Sequence, residues 1–146
     1  LAPRLSRNVL IIVVCLSAVP LGVTAIWLGH LQAGWAWSNF WVAPVRTVFP
    51  FFAGLLIYRL NLRIKIPAAF LLLSLLLLIL FSLPYFSMNG VYELVCVTII
   101  FPFIIMAGAG SKLNGKLNHA CEFLGKISYP IYITHYSFVY LYMHWY

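Results

Sequence analysis

Residues 65–84 read KIPAAFLLLSLLLLILFSLP, and no charged side chain follows Lys65 in this segment. A helix of ~20 residues spans the ~30 Å hydrocarbon core of a bilayer, because each residue adds ~1.5 Å of rise. The apolar residues are continuous and do not alternate with polar ones, which favours a helix over a barrel strand. The segment therefore predicts a transmembrane helix.

Four further segments have the same length and apolar character. The five predicted spans are 8–29, 40–60, 65–84, 91–109 and 128–146. The chain has 146 residues, of which 64% are apolar and 8% charged, whereas soluble domains have about 25% charged residues. This composition excludes a disordered chain, a disulfide scaffold and a conventional soluble enzyme. The sequence predicts an all-α, polytopic transmembrane helix bundle, and because it begins with Leu1 and not with methionine, we expect a fragment of a larger bundle.

The net charge of +7 has a topological explanation. Eight of the nine basic residues precede the first span or lie in the connections on the same side of the membrane: Arg4, Arg7, Arg59, Arg63, Lys65, Lys112, Lys116 and Lys126. The positive-inside rule then places the N-terminus in the cytoplasm. We expect a multi-pass protein of the cell membrane, in bacteria the inner membrane, with membrane lipids and no nucleic acid among its partners.

Two charged residues fall inside or close to the predicted spans. Arg46 lies thirteen residues before Arg59, about 20 Å along a helix and so below the outer membrane boundary. A charge at this depth indicates a polar cavity, although its side chain can also reach the headgroups. Glu93 lies at a similar depth, where it can pair with Arg46 or favour the positive end of its own helix.

The last predicted span carries a second group of polar residues. Ser128, Tyr129 and Pro130 provide an N-cap hydroxyl and a first-turn proline, so we expect the helix to begin there. His135 lies about 10 Å further along, where it serves either proton transfer and hydrogen bonding to a substrate or a structural contact with a neighbouring helix. Neither the three cysteines nor the histidines have the spacing of a metal site, and we predict none.

Three motifs occur in a characteristic order: RTVFPFFAGLLIYR from Arg46, ELVC from Glu93, and LGKISYPIYITH ending at His135. Together they resemble the C-terminal half of the acyltransferase type 3 family. Members are integral-membrane enzymes that transfer acetyl or other short acyl groups, commonly from acyl-CoA, to sugar hydroxyls of surface glycans. The resemblance implies that residues 1–146 form a partial membrane acyltransferase domain active in O-acetylation, as in polysaccharide modification.

The resemblance also assigns roles to individual residues. It implies substrate binding by Arg46, Glu93, Ser128, Tyr129 and His135. We also expect three basic residues to meet the phosphates of the donor, an acyl-CoA such as acetyl-CoA, although the topological rule explains the same charges: Arg59, Arg63 and Lys65. No bound cofactor is implied.

The catalytic histidine of the family lies in N-terminal helices that are not part of this sequence. The fragment alone is therefore expected to be inactive, and its partners are those helices, the acyl donor and a glycan acceptor. The alternative is a fragment of a small-solute or proton transporter, since a cavity with Arg46, Glu93 and His135 would serve equally. Transporters often contain inverted repeats, and we find no convincing repeat among the five spans.

Overall fold

The computed structural model describes residues 6–34, 36–111 and 116–145. The described residues form helices and contain no strand, which confirms the prediction of an all-α fold. The helices are α1 (Arg7–Leu28), α2 (Val42–Arg59), α3 (Ala69–Ser82), α4 (Asn89–Gly110) and α5 (Lys116–Trp145), with a short 3-10 turn (Trp37–Asn39) before α2. The contacts divide the chain after Ser111, so α1 to α4 form one unit and α5 is described by itself.

The first unit is built on the packing of α1 against α2. Its buried apolar cluster comprises Leu21 and Ala25 of α1, Leu31 of the following loop, and Phe49 and Ala53 of α2. Side chains of α4 pack against this cluster, namely Leu94 and Val97. The small buried residues of this cluster let the helices approach closely, as is usual where helices pack within a membrane.

The two ends of this unit differ in chemistry. At one end, which we call the loop end, α1 finishes at Gly29 and α4 begins at Asn89. At the other, the basic end, α2 finishes at Arg59 and is followed by an exposed segment that contains Arg63 and Lys65. Arg4 and Lys112, which the topological prediction also uses, lie outside the described residues.

α3 is shorter than the predicted span 65–84. It has 14 residues, about 21 Å of helix. The helix begins after Ala68, which has a left-handed conformation with a φ of 53°, and it ends where Leu83 takes an extended conformation before Pro84, as residues before proline prefer. By length and composition, α1, α2 and α4 are candidates to cross a membrane and α3 is a shorter apolar helix. The five spans themselves remain a prediction.

α4 contains a π turn at Cys96–Ile100. Pro102 explains its position, because proline has no N–H to donate to the carbonyl of Thr98 and its ring crowds that carbonyl. The N–H of Phe101 instead donates to the carbonyl of Cys96, five residues earlier. This turn contains one residue more than an α-helical turn. Side chains after it therefore face a different side of α4 than regular α-helical spacing would give them.

α5 is one continuous helix, so the prediction that the last helix begins at Ser128 is wrong. The Ser128 hydroxyl donates to the carbonyl of Gly125 at 2.8 Å and therefore does not act as an N-cap. Pro130 lies inside the helix, and the Thr134 hydroxyl donates to its carbonyl at 2.8 Å. The residues from Lys116 onward are mostly compatible with a helix, and a single proline does not end it.

Candidate substrate cavity

A cavity of about 560 Å³ lies among the four helices of the first unit. The α2 residues that line it recur every three or four positions and so form one face of the helix: Arg46, Pro50, Ala53, Gly54 and Ile57. From Arg46 to Ile57 this face is about 16 Å long. The cavity thus extends along α2 from the loop end towards the basic end.

The opposite wall comes from α4 and from the end of α3. The α4 residues include Asn89, Glu93, Cys96, Pro102 and Ile105, and those of α3 and the following loop are Leu80, Phe81, Leu83 and Tyr85. The polar members of both walls lie near the loop end, whereas Ile57, Pro102 and Ile105 make the other end apolar. The cavity is therefore polar at one end and apolar along most of its length.

Glu93 is fixed at the polar end by two hydrogen-bond donors. One carboxylate oxygen accepts from the Asn89 side-chain amide at 2.5 Å, and the other accepts from the backbone N–H of Leu31. Asn89 and Leu31 are both buried. Glu93 therefore connects α4 to the loop after α1, and it does not cap the free N–H groups at the start of its helix.

Arg46 binds the same loop, but it contacts a backbone carbonyl where Glu93 contacts a backbone N–H. Its Nη1 donates to the carbonyl of Ala33 at 2.6 Å. No ion pair joins Arg46 to Glu93 in the part of the chain that the structure describes. Pairing with Arg46, one of the two alternatives for Glu93, is therefore not formed among these residues, and each charge binds a peptide group of the loop instead.

Sequence reasoning missed Asn89 and Tyr92. Asn89 precedes Glu93 by four residues, the spacing of facing side chains on a helix, and this signal could have found it. The Tyr92 hydroxyl donates to the carbonyl of Leu80 at 2.8 Å. That carbonyl belongs to the last turn of α3, where no helical N–H follows to bind it. Which side chain reaches it depends on how α3 and α4 pack, so this partner could not be predicted from the sequence.

The three basic residues assigned to the donor follow the apolar end of the cavity. Ile57 lines the cavity, and Arg59, Arg63 and Lys65 come directly after it with exposed side chains. The backbone of this segment is held in place, since the N–H of Ile64 donates to the carbonyl of Met106 at 3.1 Å. Phosphate binding by these residues remains a prediction.

Two of the three predicted site residues of α5, Ser128 and His135, make contacts within their own helix. The His135 ring nitrogen Nδ1 lies 2.6 Å from the carbonyl oxygen of Tyr132, and the two rings are 5.7 Å apart. Ser128, Tyr129 and His135 all have exposed side chains. Because α5 is described by itself, their part in the substrate site remains a prediction.

The outer surface of the first unit is apolar, as it is in proteins that lie within a membrane. Exposed leucine, isoleucine and valine side chains cover α1 and α3, among them Ile12, Leu16, Val19, Val23, Ile26, Leu71, Leu75, Leu78 and Ile79. Such a surface is unfavourable in water and suits lipid chains. The cavity lies in the volume range of small-molecule sites. The chain is thus an integral-membrane protein with a helix-lined cavity of substrate size.

The comparison with family models identifies the family. The model described as an acyltransferase domain, that of the acyltransferase type 3 family, matches residues 1–146, and the chain belongs to this family. The resemblance found in the three sequence motifs is thereby confirmed. The comparison with curated proteins gives no match, and neither does the comparison with solved structures.

Proposed function

We propose that this chain forms the substrate cavity of an integral-membrane O-acyltransferase. The reaction transfers acetyl or another short acyl group from acyl-CoA to a hydroxyl of a sugar or surface glycan. The observation that supports this proposal is Arg46, a cation at the polar end of the cavity in a chain of this family.

Arg46 has hydrogen-bonding capacity left for a substrate. A guanidinium carries five N–H donors, and the described contacts of Arg46 are limited to the carbonyl of Ala33. In acyl transfer the acceptor oxygen attacks the thioester carbonyl while the acceptor proton passes to a base. The C–S bond then breaks, and the CoA thiolate that leaves takes this proton from the base to become the thiol. Negative charge builds up on the carbonyl oxygen during the attack, and Arg46 is suited to stabilise it or to orient the acceptor.

The general base is proposed to come from outside this sequence. The family resemblance puts a histidine in the N-terminal half of the domain, whereas the described residues of the first unit that line the cavity include no histidine. The chain alone would then bind substrates without turning them over. Glu93 is a poor base here, because both of its oxygens already accept hydrogen bonds.

The first experiment measures acetyl transfer to glycan by the full-length protein in membrane vesicles. Arg46→Gln should lower kcat/KM by about a hundredfold, the usual effect of removing a group that stabilises the developing oxyanion. Arg7→Gln is the matched control, because Arg7 begins α1 and does not line the cavity. Equal activity of the two variants would contradict the proposal, and solute uptake without an acylated product would favour the transporter.

A second experiment addresses the donor. Replacing Arg59, Arg63 and Lys65 together by Gln should raise the KM for acetyl-CoA roughly tenfold, since each exposed charge contributes little by itself. Acetyl-pantetheine has the same thioester but lacks the nucleotide phosphates, and its KM should not change. If both donors are affected equally, the three residues do not bind the phosphates.

A further inference from the structure

A second cavity meets the first one at Arg46. It is also about 560 Å³, and its walls are Gln32, Ala33, Gly34, Ala43, Arg46 and Thr47. Arg46 and Gln32 line both cavities. We call the first cavity the chamber and the second one the vestibule. A molecule that extends from one into the other must pass the guanidinium of Arg46.

The chamber beyond Arg46 matches an apolar chain better than a sugar. Its distal part is lined by Ala53, Ile57, Pro102 and Ile105, which offer no side-chain hydrogen bonds. Sugar hydroxyls placed there would lose their hydrogen bonds to water without replacement. The length of about 16 Å is roughly half of the ~30 Å hydrocarbon core, which is the depth of a single leaflet.

The polar end of the chamber favours an anionic head group. Glu93 accepts from Asn89 and Leu31, so both of its oxygens are occupied. Arg46 uses one donor for Ala33 and keeps N–H groups for another acceptor. A phosphate matches these remaining donors, because it accepts charge-assisted hydrogen bonds from a guanidinium.

We propose that the chamber binds an amphiphile with one apolar chain and a phosphate head. The head contacts Arg46 where chamber and vestibule meet, and the chain lies along α2 towards Ile57. This inference rests on the proposed function in that it names the substrate class of the same cavity. The source of the amphiphile is either an acceptor carried on a lipid phosphate or a phospholipid of the bilayer.

The test uses a dodecyl phosphate with a photoreactive diazirine at the chain end. The full chain is placed in nanodiscs, irradiated with this probe and mapped by peptide mass spectrometry. Label is expected on the distal chamber residues Ile57, Pro102 and Ile105. Label confined to lipid-facing positions such as Val48 and Phe51 would overturn the proposal.

Gly54 offers a way to fill the chamber without disturbing the helices. A Cβ atom at this position meets no atom within 4 Å, and Gly54 lines the chamber. Gly54→Phe should therefore remove the label at Ile57 and Ile105. Val48→Phe puts the same side chain at an exposed position of the same helix and should leave the label in place. Equal labelling of both variants would overturn the proposal.

The head group is tested by a second pair of probes. Arg46→Gln should weaken labelling by the phosphate probe about tenfold, since a hydrogen bond to a charged group is lost. A neutral dodecanol probe with the same diazirine should label both proteins equally. A loss that is the same for both probes, or no loss at all, would show that Arg46 does not bind the head.

Inhibition of acetyl transfer identifies the source of the amphiphile. Competition between dodecyl phosphate and the acceptor glycan indicates a lipid-borne acceptor, and labelling without competition indicates a phospholipid; both support binding in the chamber. Labelling does not require turnover, so it can succeed where acyl transfer fails. Conversely, acyl transfer without chamber labelling would refute this inference and leave the proposed function intact.

Discussion

Arg46 and Glu93 carry opposite charges and both bind the loop between α1 and α2. Glu93 accepts from the N–H of Leu31, and Arg46 donates to the carbonyl of Ala33. The two charges thus use the opposite ends of peptide dipoles in one short segment. A charge at membrane depth is costly unless it has partners, and these peptide groups provide partners without bringing the two side chains together. The arrangement leaves part of the guanidinium accessible from the cavity.

Glu93→Ala should destabilise the first unit by about 1–3 kcal/mol, because the N–H of Leu31 and the amide of Asn89 would lose their acceptor in a buried place. Thermal unfolding in detergent measures the change. Glu122→Ala is the matched control, since Glu122 is exposed and pairs with Lys126 within one helix turn at 2.8 Å. It should change stability by no more than about 0.5 kcal/mol. Similar effects of both substitutions would show that the Glu93 contacts are not stabilising.

The sequence indicates where a cavity lies better than it indicates the partners of the charged residues. The position of Arg46 within an apolar segment indicated a cavity, and Arg46 does line one. The partners of Arg46 and Glu93 could not be predicted in the same way. They belong to the backbone of Leu31 and Ala33, and any sequence supplies such groups. Which carbonyl or N–H is within reach depends on how the loop folds.

At the scale of the helices, Gly90 lets the start of α4 approach the end of α1 closely. A Cβ atom there would lie 2.1 Å from the carbonyl oxygen of Ala25. Gly90→Ala should therefore cost about 3 kcal/mol, as the two backbones must move apart. Gly54→Ala is the control, because a Cβ at Gly54 meets nothing and alanine favours helix by up to about 1 kcal/mol. Denaturation in detergent should separate the two variants, and equal stability would contradict this packing.

A residue with a left-handed backbone conformation follows the end of α2. Asn61 has a φ of 50°, its N–H donates to the carbonyl of Tyr58, and the N–H of Leu62 donates to that of Ile57. This is a Schellman motif, in which a left-handed residue ends the helix. Asn61→Val should destabilise the protein by about 1–2 kcal/mol, since a branched side chain disfavours this conformation. Asn61→Gly should be neutral or stabilising, and a ranking of the two in the opposite order would contradict the motif.

At the ends of the helices, the apolar pattern and the prolines predict different boundaries. Left-handed Ala68 and Pro84 limit α3 at its two ends, although the apolar run alone predicts a longer helix. Pro130 carries the same local signal, yet α5 continues through it. A proline within a helix costs about 3 kcal/mol, and whether a helix tolerates that cost depends on the residues on both sides. The apolar pattern therefore predicts that a helix is present, but it does not predict the residue at which the helix begins.

At the scale of the whole chain, tryptophan side chains mark the loop end of the first unit. Trp27 in the last turn of α1 and Trp41 before α2 are exposed, with ring centroids 6.1 Å apart. Tryptophan prefers the interface between lipid and water. The basic residues Arg59, Arg63 and Lys65 lie at the opposite end. The loop end therefore has the chemistry of a membrane boundary, and the opposite end carries the positive charge that the positive-inside rule predicts for a cytoplasmic surface.

Orientation in the membrane follows from this asymmetry and can be measured directly. Ser38 is exposed at the loop end and Leu62 at the basic end. In a variant with Cys15, Cys96 and Cys121 replaced by alanine, Leu62→Cys should react with a membrane-impermeant maleimide only after the cells are opened. Ser38→Cys should react in intact cells, because the positive-inside rule keeps the basic end in the cytoplasm. The opposite pattern would place Arg46 near the cytoplasmic side, and a surface glycan could then not be the acceptor that reaches it.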